Sequence, residues 1–355
     1  MRFGLFGSAS APRGGSPEDA ARGYREFAET NVEAEAVGFH ASFLVEHHFT
    51  GQGQVSATLN LLQWVAARTT RLRLGTAVLV LPWHNPVLLA EQVATVDLLS
   101  GGRLDLGVGR GYRWSEFEGF GMAPEEAGAR FEETLEVLLR SLSSDDRFTH
   151  QGRFWHFRDI LVEPPPAQRP HPPVWMAAAT EEGVREVATR GFNLLLDQFA
   201  SPARLRALIA CFRQEVEARG GRHDPMRVAV ARNIRVAETA EEIGEARARQ
   251  AEAHRGMIAL SRGPSAARAG QRSHILGYAE TVEATLEHAL IGPPEAIAAG
   301  LDALRDAGVE YVLVNAGRAP RETLRRLARE VMPAFITGAR PAAAAGPEGY
   351  GATGG

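Results

Sequence analysis

The chain has a single cysteine, Cys211, among 355 residues. An intramolecular disulfide is therefore impossible, and a reducing compartment such as the cytoplasm is expected. Cys211 lies in a helical run with Leu205, Leu208, Ile209 and Phe212, a pattern that suits a buried structural thiol better than a nucleophile. The chain also has no strong excess of one charge. A formal net charge of −4 gives no reason to expect nucleic acid or an anionic membrane as partner. No window approaches the roughly 18 uninterrupted apolar residues of a membrane span. No long apolar h-region precedes Arg2-Phe3-Gly4-Leu5-Phe6, which begins like a first strand rather than a secretory signal. Three motifs are missing as well. Without Gly-Xaa-Ser-Xaa-Gly a serine hydrolase is disfavoured, and without a Walker-type phosphate loop a P-loop nucleotidase is too. Nor is there a GxGxxG dinucleotide fingerprint.

What is present is an alternation of strand-like and helix-like segments along most of the chain. Apolar runs mark strands at 2–7, 41–47, 71–81, 104–109, 173–178, 193–199, 227–236 and 310–315. Between them lie helical patterns with recognisable starts. Ser16-Pro17-Glu18-Asp19 supplies an N-cap, a first-turn proline and acids, Asn85-Pro86 repeats the device, and Phe131, Leu135, Leu138 and Leu139 recur at helical spacing. Strands apolar on both faces, such as Tyr311-Val312-Leu313-Val314, fit a parallel sheet covered by helices. Eight of them predict an eight-stranded parallel βα barrel with insertions, occupying residues 1–336 as one domain. An open doubly wound sheet is the other architecture the pattern allows. The insertions are a hairpin at 147–162 turning about Gln151-Gly152, and a Ser-, Gly- and Arg-rich stretch at 261–280 read as a lid or a disordered segment. Residues 338–355, rich in Ala, Gly and Pro, read as a disordered tail.

Several constellations could carry chemistry. Phe43-Leu44-Val45-Glu46-His47-His48-Phe49 ends an apolar strand in a carboxylate and two imidazoles, where parallel α/β proteins place their active sites. Adjacent strand residues face opposite ways, so His47 and His48 do not converge on one metal, and no metal site is expected. Position alone leaves open whether these are satisfied rim histidines or a proton-transfer site. Gly107-Val108-Gly109-Arg110-Gly111 either lets a flat ligand approach the backbone beside a cationic fork or is a plain glycine-rich turn. Ala177-Ala178-Ala179-Thr180 runs into Glu181-Glu182, and the N–H groups at that helix start either bind an anion or are simply capped by Thr180. Trp83-His84-Asn85 follows the third strand, as pocket wall or as a cap.

In this order the motifs resemble one family, the bacterial luciferase-like flavin-dependent monooxygenases. The resemblance rests on Met1-Arg2-Phe3-Gly4, Leu44 to Phe49, Gly75-Thr76-Ala77-Val78 through Leu81-Pro82, Ser100-Gly101-Gly102-Arg103-Leu104 and Gly107 to Gly111. Near the C-terminus it continues through Gly292-Pro293-Pro294-Glu295, Gly308-Val309 and Val331-Met332-Pro333. It implies the same barrel, with FMN at its C-terminal mouth and oxygenation through a flavin C4a-peroxide. His47 then matches the catalytic histidine. Arg110 and Arg130 match arginines holding the FMN phosphate, and Ala178, Ala179 and Thr180 form the phosphate turn. Ala77-Val78 aligns with a non-prolyl cis peptide beneath the flavin, beside Gly109. Glu46, His48 and Trp83 are placed in the substrate pocket. The resemblance further implies a separate flavin reductase, molecular oxygen, a small apolar organic substrate and a homodimer. The family's reactive cysteine falls at Gly109, an acidic residue at Ala179 and a histidine at Asn85, which argues against light emission. Two other readings keep the barrel: a deazaflavin-dependent oxidoreductase, and a catalytically silent flavin-binding subunit, which the intact Glu46-His47-His48 speaks against.

Overall fold

The computed structural model describes residues 1–11, 14, 16–51, 55–261, 281–317 and 320–336. The stretch 262–280 and the tail from 337 onward, on which a lid and a disordered tail were expected, lie outside the described residues. Among the described residues no helix is long and apolar enough to cross a membrane.

Eight strands close a parallel barrel. In spatial order they are β1 (Arg2–Gly7), β2 (Ala41–Leu44), β3 (Arg73–Thr76), β5 (Leu104–Gly109), β8 (Val174–Ala177), β9 (Asn193–Leu196), β10 (Val228–Val236) and β12 (Tyr311–Asn315). β12 pairs back onto β1, with Phe3 opposite Val312, so the sheet is closed and the open doubly wound alternative is excluded. Two short strands extend it. β4 (Leu79–Val80) pairs with β5, and β11 (Leu290–Gly292) pairs with the far end of β10. The expected hairpin is present as antiparallel β6 (Phe148–Gln151) and β7 (His156–Ile160). The run read as one strand over 71–81 is divided between β3 and β4, and the Ala77–Val78 peptide bond at the division is cis.

The helices form where their start signals stand. Ser16 caps α1 (Pro17–Ala36) in a reciprocal capping box with Asp19. Asn85 accepts from the Val87 and Leu88 N–H groups at the start of α3 (Pro86–Leu99). Thr180 accepts from Gly183 N–H at the start of α6 (Glu181–Thr189). The other helices that matter below are α2 (Thr58–Ala66), α4 (Trp114–Gly119), α5 (Ala127–Ser143), α7 (Pro202–Ala218) and α8 (Ala240–Ser261). The Cys211 thiol on α7 is free and only half-buried, less enclosed than its apolar neighbours suggested.

Side chains fill the barrel, as a small closed sheet requires. Phe43, Trp175, Leu195, Ala229, Tyr311 and Leu313 form this inner cluster. Phe43 packs edge-on to Trp175 with ring centroids 5.5 Å apart, and Trp175 Nε1 donates to Asp105 Oδ1 at 3.1 Å. Gly75 is required beside them, because a Cβ there would stand 2.3 Å from the Phe43 ring.

Candidate active site at the barrel mouth

At the C-terminal ends of β1, β3, β5 and β8 the lining becomes small and open. Ala77, Val78 and Gly109 are half-buried, and Ala177, although it ends a barrel strand, is exposed. Small, partly exposed residues therefore replace the packed interior at this end. Phe6, Ala77 and Val78 rest on the inner cluster. Such a floor suits a flat ring system.

One wall is built by the segment leaving β2. His47 and His48 lie just past the strand, and their rings take different carboxylates. His47 Nδ1 lies 3.1 Å from Glu116 Oε1 on α4, and the same oxygen accepts the His48 backbone N–H at 2.9 Å. A carboxylate only accepts, so His47 carries its proton on Nδ1 and leaves Nε2 as a base. Burial lowers the His47 pKa, against the raising pull of Glu116, so the ring is neutral at pH 7. Arg113 lies 3.9 Å from that Glu116 oxygen.

Glu46 faces the other way and is 2% exposed. Its Oε2 accepts the Val80 N–H at 2.6 Å, and its Oε1 meets His84 Nε2 at 2.8 Å. His48 Nε2 is 3.3 Å from the same Oε1, a contact too poorly aligned to count as a full hydrogen bond. Burial alone would raise the Glu46 pKa, yet these partners outweigh it and hold it at about 2. Glu46 is thus an ionised brace joining the exit of β2 to β4 and His84. Trp83 stands over Phe117 at 4.7 Å and Phe120 at 5.2 Å, with His48 at 6.1 Å, forming an aromatic side wall.

The phosphate residues expected from the sequence are only partly assembled. Arg110 is exposed at the end of β5 and is free of partners among the described residues. Arg130 on α5 is engaged: its Nε donates to Glu126 Oε2 at 3.1 Å, and its guanidinium covers the Phe154 ring at 4.4 Å. Thr180 caps α6 through its side chain, which leaves the first N–H groups of that helix turned to the rim. Arg204 of α7 donates to the Ala179 carbonyl at 3.0 Å and fixes the same turn. Three residues escaped the sequence reading as participants: Glu116, His84 as the partner of Glu46, and Arg204. None stands in a motif, and only the fold brings each to its partner.

The profile of the family described as "Luciferase-like monooxygenase" matches residues 1–311. The chain belongs to that family. Among relatives of this luciferase-like monooxygenase, the uncharacterized protein y4vJ of Sinorhizobium fredii is 36% identical over 196 residues, 55% of each chain. The oxygenase component of the flavin-dependent trigonelline monooxygenase of Acinetobacter baylyi is 32% identical over 196 residues, 55% of this chain and 53% of that one. The match thus spans little more than half the length of these curated relatives. Among solved structures, the monooxygenase RslO1 from Streptomyces bottropensis superposes with a TM-score of 0.80 at 26% identity, covering 94% of this luciferase-like chain and 100% of the other.

Proposed function

We propose that this chain is the oxygenase component of a two-component monooxygenase that uses reduced FMN and molecular oxygen to oxidise a small organic molecule. The observation that carries the reading is the His47–Glu116 pair, a neutral imidazole with a fixed tautomer beside an open floor of small residues. The residues present fit FMN. Ala77, Val78 and Gly109 offer a surface of small residues, with the Val78 side chain packed over Gly109. Arg110 and the first N–H groups of α6 offer charge and donors for a phosphate.

Reduced FMN, when bound, supplies the activation of dioxygen. The chain's own work is to hold, shield and move protons. Arg110 and the α6 N-terminus anchor the phosphate end, with Arg130 joining if its guanidinium turns from Glu126. Trp83, Phe117 and Phe120 keep water from one side of the mouth. His47 accepts or returns a proton at Nε2, while Glu116 holds its ring and stabilises the imidazolium when it forms. A separate flavin reductase as electron source, a cytoplasmic location and pairing with a second copy belong to the same reading.

The test is direct. Photoreduced FMN is mixed with oxygenated buffer, with and without excess protein, and flavin reoxidation is followed by absorbance. A marked slowing by the protein, together with no NADH oxidation by the protein alone, is the expected result. Rapid NADH oxidation without a reductase would overturn the two-component reading, and affinity for a deazaflavin but not for FMN would replace the cofactor.

A further inference from the structure

Across the mouth from His47 lies a second set of polar groups, which the reading above does not use. In the closed order of eight strands, β9 stands four places from β2, directly opposite. Asp197 follows β9 on the inner face set by Leu195. Its Oδ1 accepts the Phe199 and Ala200 N–H groups at 2.7 and 3.2 Å. Its Oδ2 is buried and has no partner among the described residues. On the neighbouring β10, Asn233 shares the inner face with Ala229 and is 4% exposed, and its Nδ2 is likewise buried without a partner. Asn315, register partner of Asn233 on β12, is turned to other groups: its Nδ2 donates to Gln198 Oε1 at 3.0 Å, and its Oδ1 accepts the Gly317 N–H at 3.2 Å.

The surroundings hold this pair firmly. Arg232, 1% exposed, lies behind the sheet and donates to the Gln198 and Ala200 carbonyls at 2.8 Å each, clamping the 197–200 turn. Burial raises the Asp197 pKa, against the pull of the Phe199 N–H and the Arg232 charge. A buried acceptor and a buried donor left unpaired on adjacent strands each carry an uncompensated desolvation cost. Native interiors rarely retain such groups without a ligand or water to satisfy them.

We infer that Asp197 Oδ2 and Asn233 Nδ2 form the polar end of the substrate site, taking a neutral molecule with an N–H or O–H donor beside a carbonyl, as in a lactam or carboxamide. The donor of the ligand meets Asp197, and its carbonyl meets Asn233. Anionic carboxylates are disfavoured, because the acceptor oxygen faces them and the Arg232 guanidinium is directed to backbone carbonyls. The inference rests on the monooxygenase reading only in calling the ligand a substrate, and it adds a polar requirement to the apolar molecule suggested by the sequence.

The experiment compares 2-piperidone with cyclohexanone, which has the same shape and carbonyl but a methylene for the N–H. Binding is measured by ligand-observed NMR titration on the full chain, with and without FMN. The hydrophobic effect alone favours cyclohexanone, so a preference for the lactam by about tenfold or more is the expected and diagnostic result. In Asp197→Asn the amide oxygen keeps the two backbone N–H donors and the NH2 group takes the place of Oδ2, so the lactam preference should vanish. Asn233→Leu, close in shape, should weaken both ligands. Melting curves confirm that each variant folds. Equal binding of the two probes by the wild type, or a lactam preference that survives Asp197→Asn, would overturn the inference and leave buried water as the partner of these atoms. FMN fluorescence quenching on the same samples reads the cofactor separately. Intact lactam selectivity without FMN binding would support the polar site and count against the monooxygenase reading alone.

Discussion

At the scale of single residues, the proposed function rests on a few side chains whose neighbours set their charge. Arg110 is exposed at the mouth and has no partner among the described residues, and charge-assisted contacts to phosphate are worth about 1.5–3 kcal/mol each. Arg110→Ala should therefore weaken FMN binding roughly tenfold to a hundredfold, read by fluorescence quenching, with an unchanged circular dichroism spectrum. An unaltered dissociation constant would remove Arg110 from the site. His47→Ala should leave FMN affinity nearly intact and slow oxygenation by about a hundredfold or more, the usual worth of a positioned acid or base. The pH profile gives a finer check. Burial holds the His47 pKa below 6.5 while Glu116 pulls it up, so the acid limb of kcat/KM should fall below pH 6.5. Glu116→Gln removes the upward pull and should move that limb lower still. A limb that stays put would mean that His47 is not the group titrating. His47 stood out in the sequence as a candidate, whereas its partner Glu116 did not. A carboxylate 69 residues away, on a six-residue helix, has the look of any surface acid until β2 and β5 are set side by side with β3 between them.

At the scale of elements, the boundaries carry the lesson. Strand starts were legible to within two residues, whereas two ends were not. The runs 41–47 and 193–199 read as strands throughout, but pairing stops at Leu44 and Leu196. Past those points the chain leaves the sheet at the mouth and turns polar, as Glu46-His47 and Asp197-Gln198, where it lines the candidate site instead of a ladder. That is why Glu46, His47 and Asp197 lie just beyond their strands. β11 went unread because three residues are too short for any periodicity to show. The brace between the β2 exit and β4 makes its own prediction. Glu46 has a usual value of 4.5 and is held at about 2 in the folded protein. A depressed carboxylate stabilises the fold above its unfolded pKa, and this contribution is lost as pH falls through the folded value. Wild type should thus exceed Glu46→Gln in stability near neutrality, by on the order of 3 kcal/mol from this shift. The gap should close between about pH 4.5 and pH 2. Urea melts of both proteins across that window check it, and a gap independent of pH would show that the charge of Glu46 is not what stabilises the corner.

At the scale of the whole molecule, the outer surface and the closure of the barrel matter most. α3 shows Leu88 at 57% and Leu99 at 64% exposure, although its other side packs against the barrel. If two copies pair, as the family resemblance leads us to expect, this helix offers an apolar face for it. Leu88→Glu with Leu99→Glu should then convert a dimer to a monomer in sedimentation velocity, and a wild-type chain that sediments as a monomer would remove the expectation. Closure has a temporal side too. β1 pairs on one edge with β2 but on the other only with β12, some three hundred residues later. At synthesis rates of roughly 5–20 residues per second, the first strand waits about 15–60 s for its last neighbour. Through that interval the growing sheet has two open edges, and the floor of the mouth lacks one side of its rim. The nascent chain is then most open to pairing with the wrong partner, an exposure that ends only when residues 311–315 reach β1.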